Sequence, residues 1–217
     1  DKNTATIHLN KKLISRLKLP KIALINTYIP DNYPIPRLSL GVSIIASYLR
    51  KHQKAEVHIL DTQLRISSNE IIDSLIELKP DIIGISIPHG QTRLANDILE
   101  KIYKNKSKIN SIIVAGNFIP ASLPSHFLRK FPNMLICNGE GESTLYDLCD
   151  YIKGKISLNE ISNLIYLKDK EICYTPRKFV KMDDLPLPAL DTVVFLKKFR
   201  GALTQEWSRG CFWKCAF

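Results

Sequence analysis

Five times along this chain a short apolar run gives way to a stretch with helical periodicity, and no other feature restricts the possible folds so tightly. The runs are KIALI (21–25), AEVHIL (55–60), PDIIGIS (80–86), SIIVAG (111–116) and NMLIC (133–137). Each is too short for a helix and lacks the apolar/polar alternation of a strand wetted on one face, so each reads as a strand buried on both sides. Between them, 38–51, 69–78, 91–103, 124–130 and 143–153 read as helices. Leu94, Ile98, Leu99 and Ile102, for example, recur at the spacing that buries one helix face against a sheet. Asn69 is the expected cap of the second helix. This βα rhythm predicts a parallel sheet covered on both faces, with ligand chemistry at the C-terminal strand ends.

The ends of the chain have a different texture. Residues 1–20 are a polar lead with a short helix expected around Asn10 to Leu17. Residues 161–177 read as two short strands joined at Lys168–Lys170. The stretch 178–193, with Asp183, Asp184, Pro186 and Pro188, reads as an extended linker. A short helix at 195–201 and a strand at 202–207 lead to EWSRGCFWKCAF. The expected organisation is an extension (1–20), a sheet domain (21–154), a hairpin and linker (155–201) and the start of a further core (202–217).

Glycines punctuate the strand ends: Gly84 with Ser86, Gly116 with Asn117, and Gly139 and Gly141 around Glu140. Small residues there let backbone approach a large flat or elongated ligand, although ordinary βα turns favour glycine too. In the first helix Gly41, Ser43, Ala46 and Ser47 are likewise small. No G-x-G-x-x-G follows the first strand and there is no G-x4-G-K-[ST], which excludes the usual dinucleotide and P-loop signatures. Glu140 and Glu142 on a βα turn do not define a glycosidase pair.

The five cysteines are irregularly spaced. Cys137 and Cys149 fall in apolar contexts as buried thiols, which suits a reducing, cytoplasmic setting better than a disulfide scaffold. Cys211 and Cys215, four apart, offer soft thiolates suited to an iron–sulfur cluster, zinc or copper, but two thiolates alone complete none of these sites. The net charge of +10 permits a polyanionic partner, yet the lysines are scattered and no aromatic–basic interleaving appears, so a nucleic-acid partner is not expected. No apolar run reaches membrane-spanning length and no signal peptide is evident.

SRGCxxxCxF resembles the C-x3-C-x2-C motif of radical S-adenosylmethionine (SAM) enzymes. A third cysteine is expected directly after Phe217, so that the chain stops inside the motif. The resemblance implies that Cys211 and Cys215 are the first two ligands of a [4Fe–4S] cluster, that its open iron takes SAM, and that Phe217 lies beside the adenine. The segments 34–50, 81–86, 115–117, 138–142 and 183–191, in that order, resemble the cobalamin-binding domain that precedes the radical SAM core in cobalamin-dependent members. From this follow a five-stranded flavodoxin-like (Rossmann-like) parallel sheet of order 2-1-3-4-5 and a corrin ring across its C-terminal strand ends. By the same resemblance Ser86, Gly116 and Asn117 contact the corrin or its nucleotide tail, and Gly139, Glu140 and Gly141 shape the far side of the tail pocket. Glu142 is expected to favour the following helix N-terminus. Tyr28, Pro36, Leu38 and Leu40 are further candidates near the corrin. The loop 26–37 departs from the D-x-H-x-x-G of other cobalamin modules: it has no histidine, so an unligated lower cobalt face is implied, and His89 is not expected to replace the ligand.

The family's chemistry is cleavage of SAM to a 5′-deoxyadenosyl radical, hydrogen abstraction from the substrate and, most often, methyl transfer from methylcobalamin to an unactivated carbon. Its partners are a small-molecule or peptide substrate and an electron donor such as flavodoxin or ferredoxin. No catalytic residue is assigned within these 217 residues, which are expected to hold corrinoid without turnover. A non-catalytic corrinoid carrier and a cobalamin-independent tRNA-modifying radical SAM enzyme are the alternatives. The latter needs additional cluster cysteines, for which Cys137 and Cys149 are poorly placed.

Overall fold

The computed structural model describes residues 18–29, 35–210 and 213. The helix expected near Asn10 to Leu17, and Cys211, Cys215 and Phe217, lie outside the described residues. Strands β1 (Lys21–Asn26), β2 (Glu56–Asp61), β3 (Ile82–Ser86), β4 (Ile112–Gly116) and β5 (Leu135–Cys137) pair in parallel in the order β2-β1-β3-β4-β5. The sheet does not stop at five strands. The hairpin β6 (Leu164–Lys168) and β7 (Glu171–Tyr174) adds two antiparallel strands beyond β5, making seven. β5 contributes only three residues, and without β6 their second edge would present unpaired backbone groups. Leu164 and Ile165, both essentially buried, cover opposite faces at that edge.

Helices α1 (Leu40–Lys51), α2 (Ser68–Leu78), α3 (Thr92–Lys104), α4 (Phe118–Ser122), α5 (Pro124–Lys130) and α6 (Gly141–Ile152) are the crossovers, and α7 (Val193–Lys198) follows the linker. The cap of α2 is Ser67, not Asn69. Its hydroxyl accepts from Glu70 N while Glu70 Oε2 accepts from Ser67 N, a reciprocal capping box written in the sequence as S-x-x-E. The segment 118–122, between the fourth strand and the helix expected at 124–130, is itself a short helix, α4; Pro120 falls in its first turn, where the missing N–H has no helical partner to lose.

Because side chains alternate along a strand, the strands feed two cores. Ala23, Ile25, Ile83, Ile85, Ile113, Ala115 and Ile136 pack with residues of α2, α3 and α5 on one face. Ile22, Leu24, Ile82, Val114, Leu135 and Cys137 pack with α1 and α6 on the other. The linker is fastened to this second side: Ala189 N donates to Ser43 O at 3.0 Å and Arg50 grips Asp191 at 2.6 Å. The strand expected at 202–207 reduces to one parallel bridge between Arg37 and Ala202. Ala202 N donates to Pro36 O and Leu38 N donates to Ala202 O, and Pro36, lacking an N–H, cannot extend the ladder.

Candidate functional site

Position 84 is where the second core loses a side chain. Gly84 sits in register between Leu24 and Val114, facing α1 and α6. A Cβ built there would lie 2.8 Å from Leu24 Cδ2 and 3.8 Å from Leu145 Cδ1, so the floor is shaped by the lack of a methyl group. Above it opens a cavity of about 260 Å³. Leu24, Val42, Ile45, Val114 and Leu145 form its apolar walls.

Ser86, Gly116, Asn117, Gly139, Glu140 and Gly141, the residues singled out at the strand ends, all line this one cavity. Gly116 presents open space: nothing lies within 4 Å of where its Cβ would stand, and the same is true of Gly41 on α1. Gly139 has a different reason to be glycine. Its φ of +149° suits few other residues, and a side chain would press on Asn163 at 3.3 Å. Asn117, at φ +84°, turns the chain into α4; its Oδ1 accepts from Phe118 N at 2.7 Å.

The polar part of the rim is braced rather than loose. Glu140 Oε2 accepts from Val180 N at 2.5 Å, and its carbonyl accepts from Asn163 Nδ2 at 3.2 Å. Glu142 occupies the first turn of α6, as expected for a carboxylate near a helix N-terminus, but it is buried and paired with Arg209 at 2.7 Å. Burial of Arg209 works against its charge, yet the hydrogen bond and charge of Glu142, joined by Glu206, outweigh it and raise the guanidinium above its ordinary range. Cys137, also in the lining, is pushed up to about 11 by burial, and Cys149 to about 12 for the same reason. Both are therefore neutral thiols at physiological pH. Among the described residues no three His, Cys, Asp or Glu side chains converge as a metal site.

A second hollow of about 480 Å³ lies beyond the ends of β1 and β3, lined by Tyr28, Arg37, Leu38, Gln63, His89 and Gln91 among others. Of the further candidates, Tyr28 and Leu38 fall here; Pro36 and Leu40 line neither hollow. Its base is a buried polar network centred on Asp61. Asn26 Nδ2 and Ser39 Oγ donate to the carboxylate at 2.9 and 2.7 Å, and Gln63 N donates at 3.0 Å. Gln63 Oε1 in turn accepts from Arg37 N at 2.8 Å, which anchors the end of the loop after β1. Thr27 Oγ1 donates to Ser86 O at 2.7 Å, so the lips of the two hollows touch at the end of β3.

Sequence reasoning did not single out Leu24, Val114 and Leu145 as lining residues. The gap at Gly84 was visible, but its neighbours follow only from strand register. Arg209 was visible only as part of the S-R-G lead; its partner Glu142 lies 67 positions away.

Residues 38–149, more than half of the chain, match the family described as B12 binding domain. The chain is 40% identical over 212 residues to the 4′-phospho-dehydrooxetanocin synthase of Priestia megaterium, covering 95% of this chain and 28% of that protein. It is 25% identical over 188 residues to the hopanoid C-3 methylase of Methylococcus capsulatus, covering 82% and 35% respectively. Among solved structures it superposes on OxsB, a cobalamin-dependent S-adenosylmethionine radical enzyme solved with aqua-cobalamin and S-adenosylmethionine bound. The TM-score is 0.89 at 41% identity, over 92% of this chain and 28% of OxsB. The radical S-adenosylmethionine methyltransferase TsrM from Kitasatospora setae shares the fold, with TM-score 0.60 at 18% identity over 72% of this chain and 30% of TsrM. The chain thus spans about a third or less of the length of these relatives. Its sequence and its fold agree: the chain belongs to the B12-binding domain family.

Proposed function

We propose that the chain holds cobalamin with the nucleotide tail in the cavity over Gly84 and the corrin across the strand ends, as part of a radical SAM enzyme whose core begins near residue 202. The observation that carries this reading is the cavity's shape. At about 260 Å³ it falls just below the usual span of small-molecule pockets, about 300–1,000 Å³, too small for a tetrapyrrole but suited to a slender planar appendage. Its apolar walls and the open space at Gly41 and Gly116 fit an aromatic base entering edge-on. In this arrangement Leu24, Val42, Val114 and Leu145 exclude water from the base. Ser86 and Asn117 hydrogen-bond the polar part of the tail at the mouth, and Gly116 lets it pass. Gly139, Glu140 and Gly141 form the far wall, held rigid by the bonds from Val180 and Asn163. When bound, cobalamin supplies a cobalt centre able to carry a methyl group. The Asp61 network ties down Asn26, Arg37 and Ser39 at the two ends of the segment after β1, and the sequence of that segment offers no histidine.

Cys211 and Cys215, with a third cysteine supplied after Phe217, would hold a [4Fe–4S] cluster, and Phe217 would flank the adenine of SAM. The whole enzyme would take a small-molecule or peptide substrate and electrons from a donor such as flavodoxin or ferredoxin, in the cytoplasm; among the described residues no helix is long and apolar enough to cross a membrane. Methyl transfer to an unactivated carbon is the outcome supported by the similarity to a methylase. The higher identity to a protein named a synthase favours a second outcome, radical chemistry without net methylation.

Titration of the chain with hydroxocobalamin, followed by gel filtration and absorbance, tests the binding step. Co-elution of about one corrinoid per chain is expected, with at least tenfold weaker retention in Gly116→Leu, whose new side chain would enter the cavity. Loss of corrinoid from the folded wild-type chain would refute the reading. For the whole enzyme, transfer of an isotopic label from the methyl of SAM to product separates the two outcomes.

A further inference from the structure

Residues 203–208 run along the surface as irregular chain, with Thr204 Oγ1 donating to Leu38 O at 3.0 Å. At Arg209, two positions before Cys211, the side chain reaches inward to Glu142. The guanidinium donates to Glu142 Oε1 at 2.7 Å and, through Nε, to Glu206 Oε2 at 2.9 Å, and it lies 3.6 Å from Glu140 Oε1. The Glu142 side chain is 3% exposed and that of Arg209 19%. Gly210 follows at φ +81°, a conformation that favours glycine. Arg209 also lines the same cavity as Gly116 and Gly139.

We propose that Arg209 is a positioning residue, a latch that seats segment 203–210, which leads into the cysteine motif, on the lip of the cavity, so that filling the cavity and seating the segment are linked. A carboxylate buried as deeply as Glu142 needs its cation, because an unpaired charge there is strongly disfavoured. The segment can leave only by breaking that pair. A guest against the cavity wall confines Arg209 to the paired arrangement, and by reciprocity a broken latch weakens the guest's binding by the same factor. The linkage rests on the corrinoid reading of the cavity; the latch itself does not.

The chain has two tryptophans, Trp207 and Trp213, and they flank Arg209 on either side. Their side chains are largely exposed, at 84% and 70%, so their fluorescence reports how firmly the segment is held. Without corrinoid, Arg209→Ala is expected to lower tryptophan anisotropy and raise acrylamide quenching by about twofold, with the circular dichroism of the folded domain retained. Arg209→Lys is expected to restore part of the signal, since an ammonium keeps the charge but not the forked hydrogen bonds. The double variant Arg209→Gln/Glu142→Gln removes both charges, so it reports latch loss without a stranded carboxylate. In hydroxocobalamin titrations Arg209→Ala is expected to bind about 5- to 150-fold more weakly than wild type. Unchanged anisotropy and quenching in folded Arg209→Ala and in the double variant would overturn the latch. A loosened segment with unchanged cobalamin affinity would overturn the linkage. A folded wild-type chain that takes up no cobalamin would overturn the linkage together with the cavity reading, while the anisotropy would still decide the latch.

Discussion

The two faces of the central sheet are built from the same strands and do opposite things. On the side of α2, α3 and α5, positions 23, 25, 83, 85, 113, 115 and 136 are filled by alanine and isoleucine and pack to a closed core. On the side of α1 and α6 the equivalent row runs Leu24, Gly84, Val114; the Leu24 side chain leans over the bare glycine backbone, and a cavity opens above them. One face thus carries stability. The other gives up some packing, and the space it leaves can hold a guest.

The comparison predicts an asymmetry between substitutions one residue apart. Ile85→Ala on the closed face is expected to cost about 2–5 kcal/mol, read as a fall in the urea midpoint; a loss well below that would mean that this face is not tightly packed. Gly84→Leu on the open face is expected to cost less, about 1–3 kcal/mol from crowding Leu24, and to abolish corrinoid retention in a chain that remains folded. A Gly84→Leu chain that still binds would move the guest elsewhere.

A smaller effect is expected from alkali. Burial raises Cys137 to about 11 and Cys149 to about 12. A thiol raised in the folded state contributes stability that is fully present below its unfolded value of about 8.5 and is lost as pH rises toward the folded value. Unfolding midpoints measured from pH 8 upward are expected to fall above about pH 8.5, with a shallower slope in Cys137→Ala/Cys149→Ala. Equal slopes would show that the thiols are not held neutral.

The alternation of strand and helix was legible because apolar runs and amphipathic periods are local. The parallel order β2-β1-β3-β4-β5 was reached only through the resemblance to cobalamin-binding domains. The seventh and sixth strands were legible as a hairpin but not as part of the sheet, because the bare edge of β5 that recruits Leu164 and Ile165 depends on how short β5 is. Ser86, Gly116, Asn117, Gly139, Glu140 and Gly141 were singled out by the glycines at strand ends together with the resemblance to cobalamin-binding domains. Their convergence on one cavity required the register that sets Gly84 beside Leu24 and Val114. The Arg209–Glu142 pair was out of reach, since nothing local in S-R-G or N-G-E-G-E announces the other. Cys211, Cys215 and Phe217 rest on the motif alone.

The most direct test of the central claim is paired titration of the chain with cobalamin and with cobinamide, which has the same corrin ring but no nucleotide tail. If the open face is the tail site, cobalamin should bind at least tenfold more tightly than cobinamide, and Gly116→Leu should erase that difference while leaving the urea midpoint unchanged. Equal affinity for the two corrinoids in the wild-type chain would contradict the account.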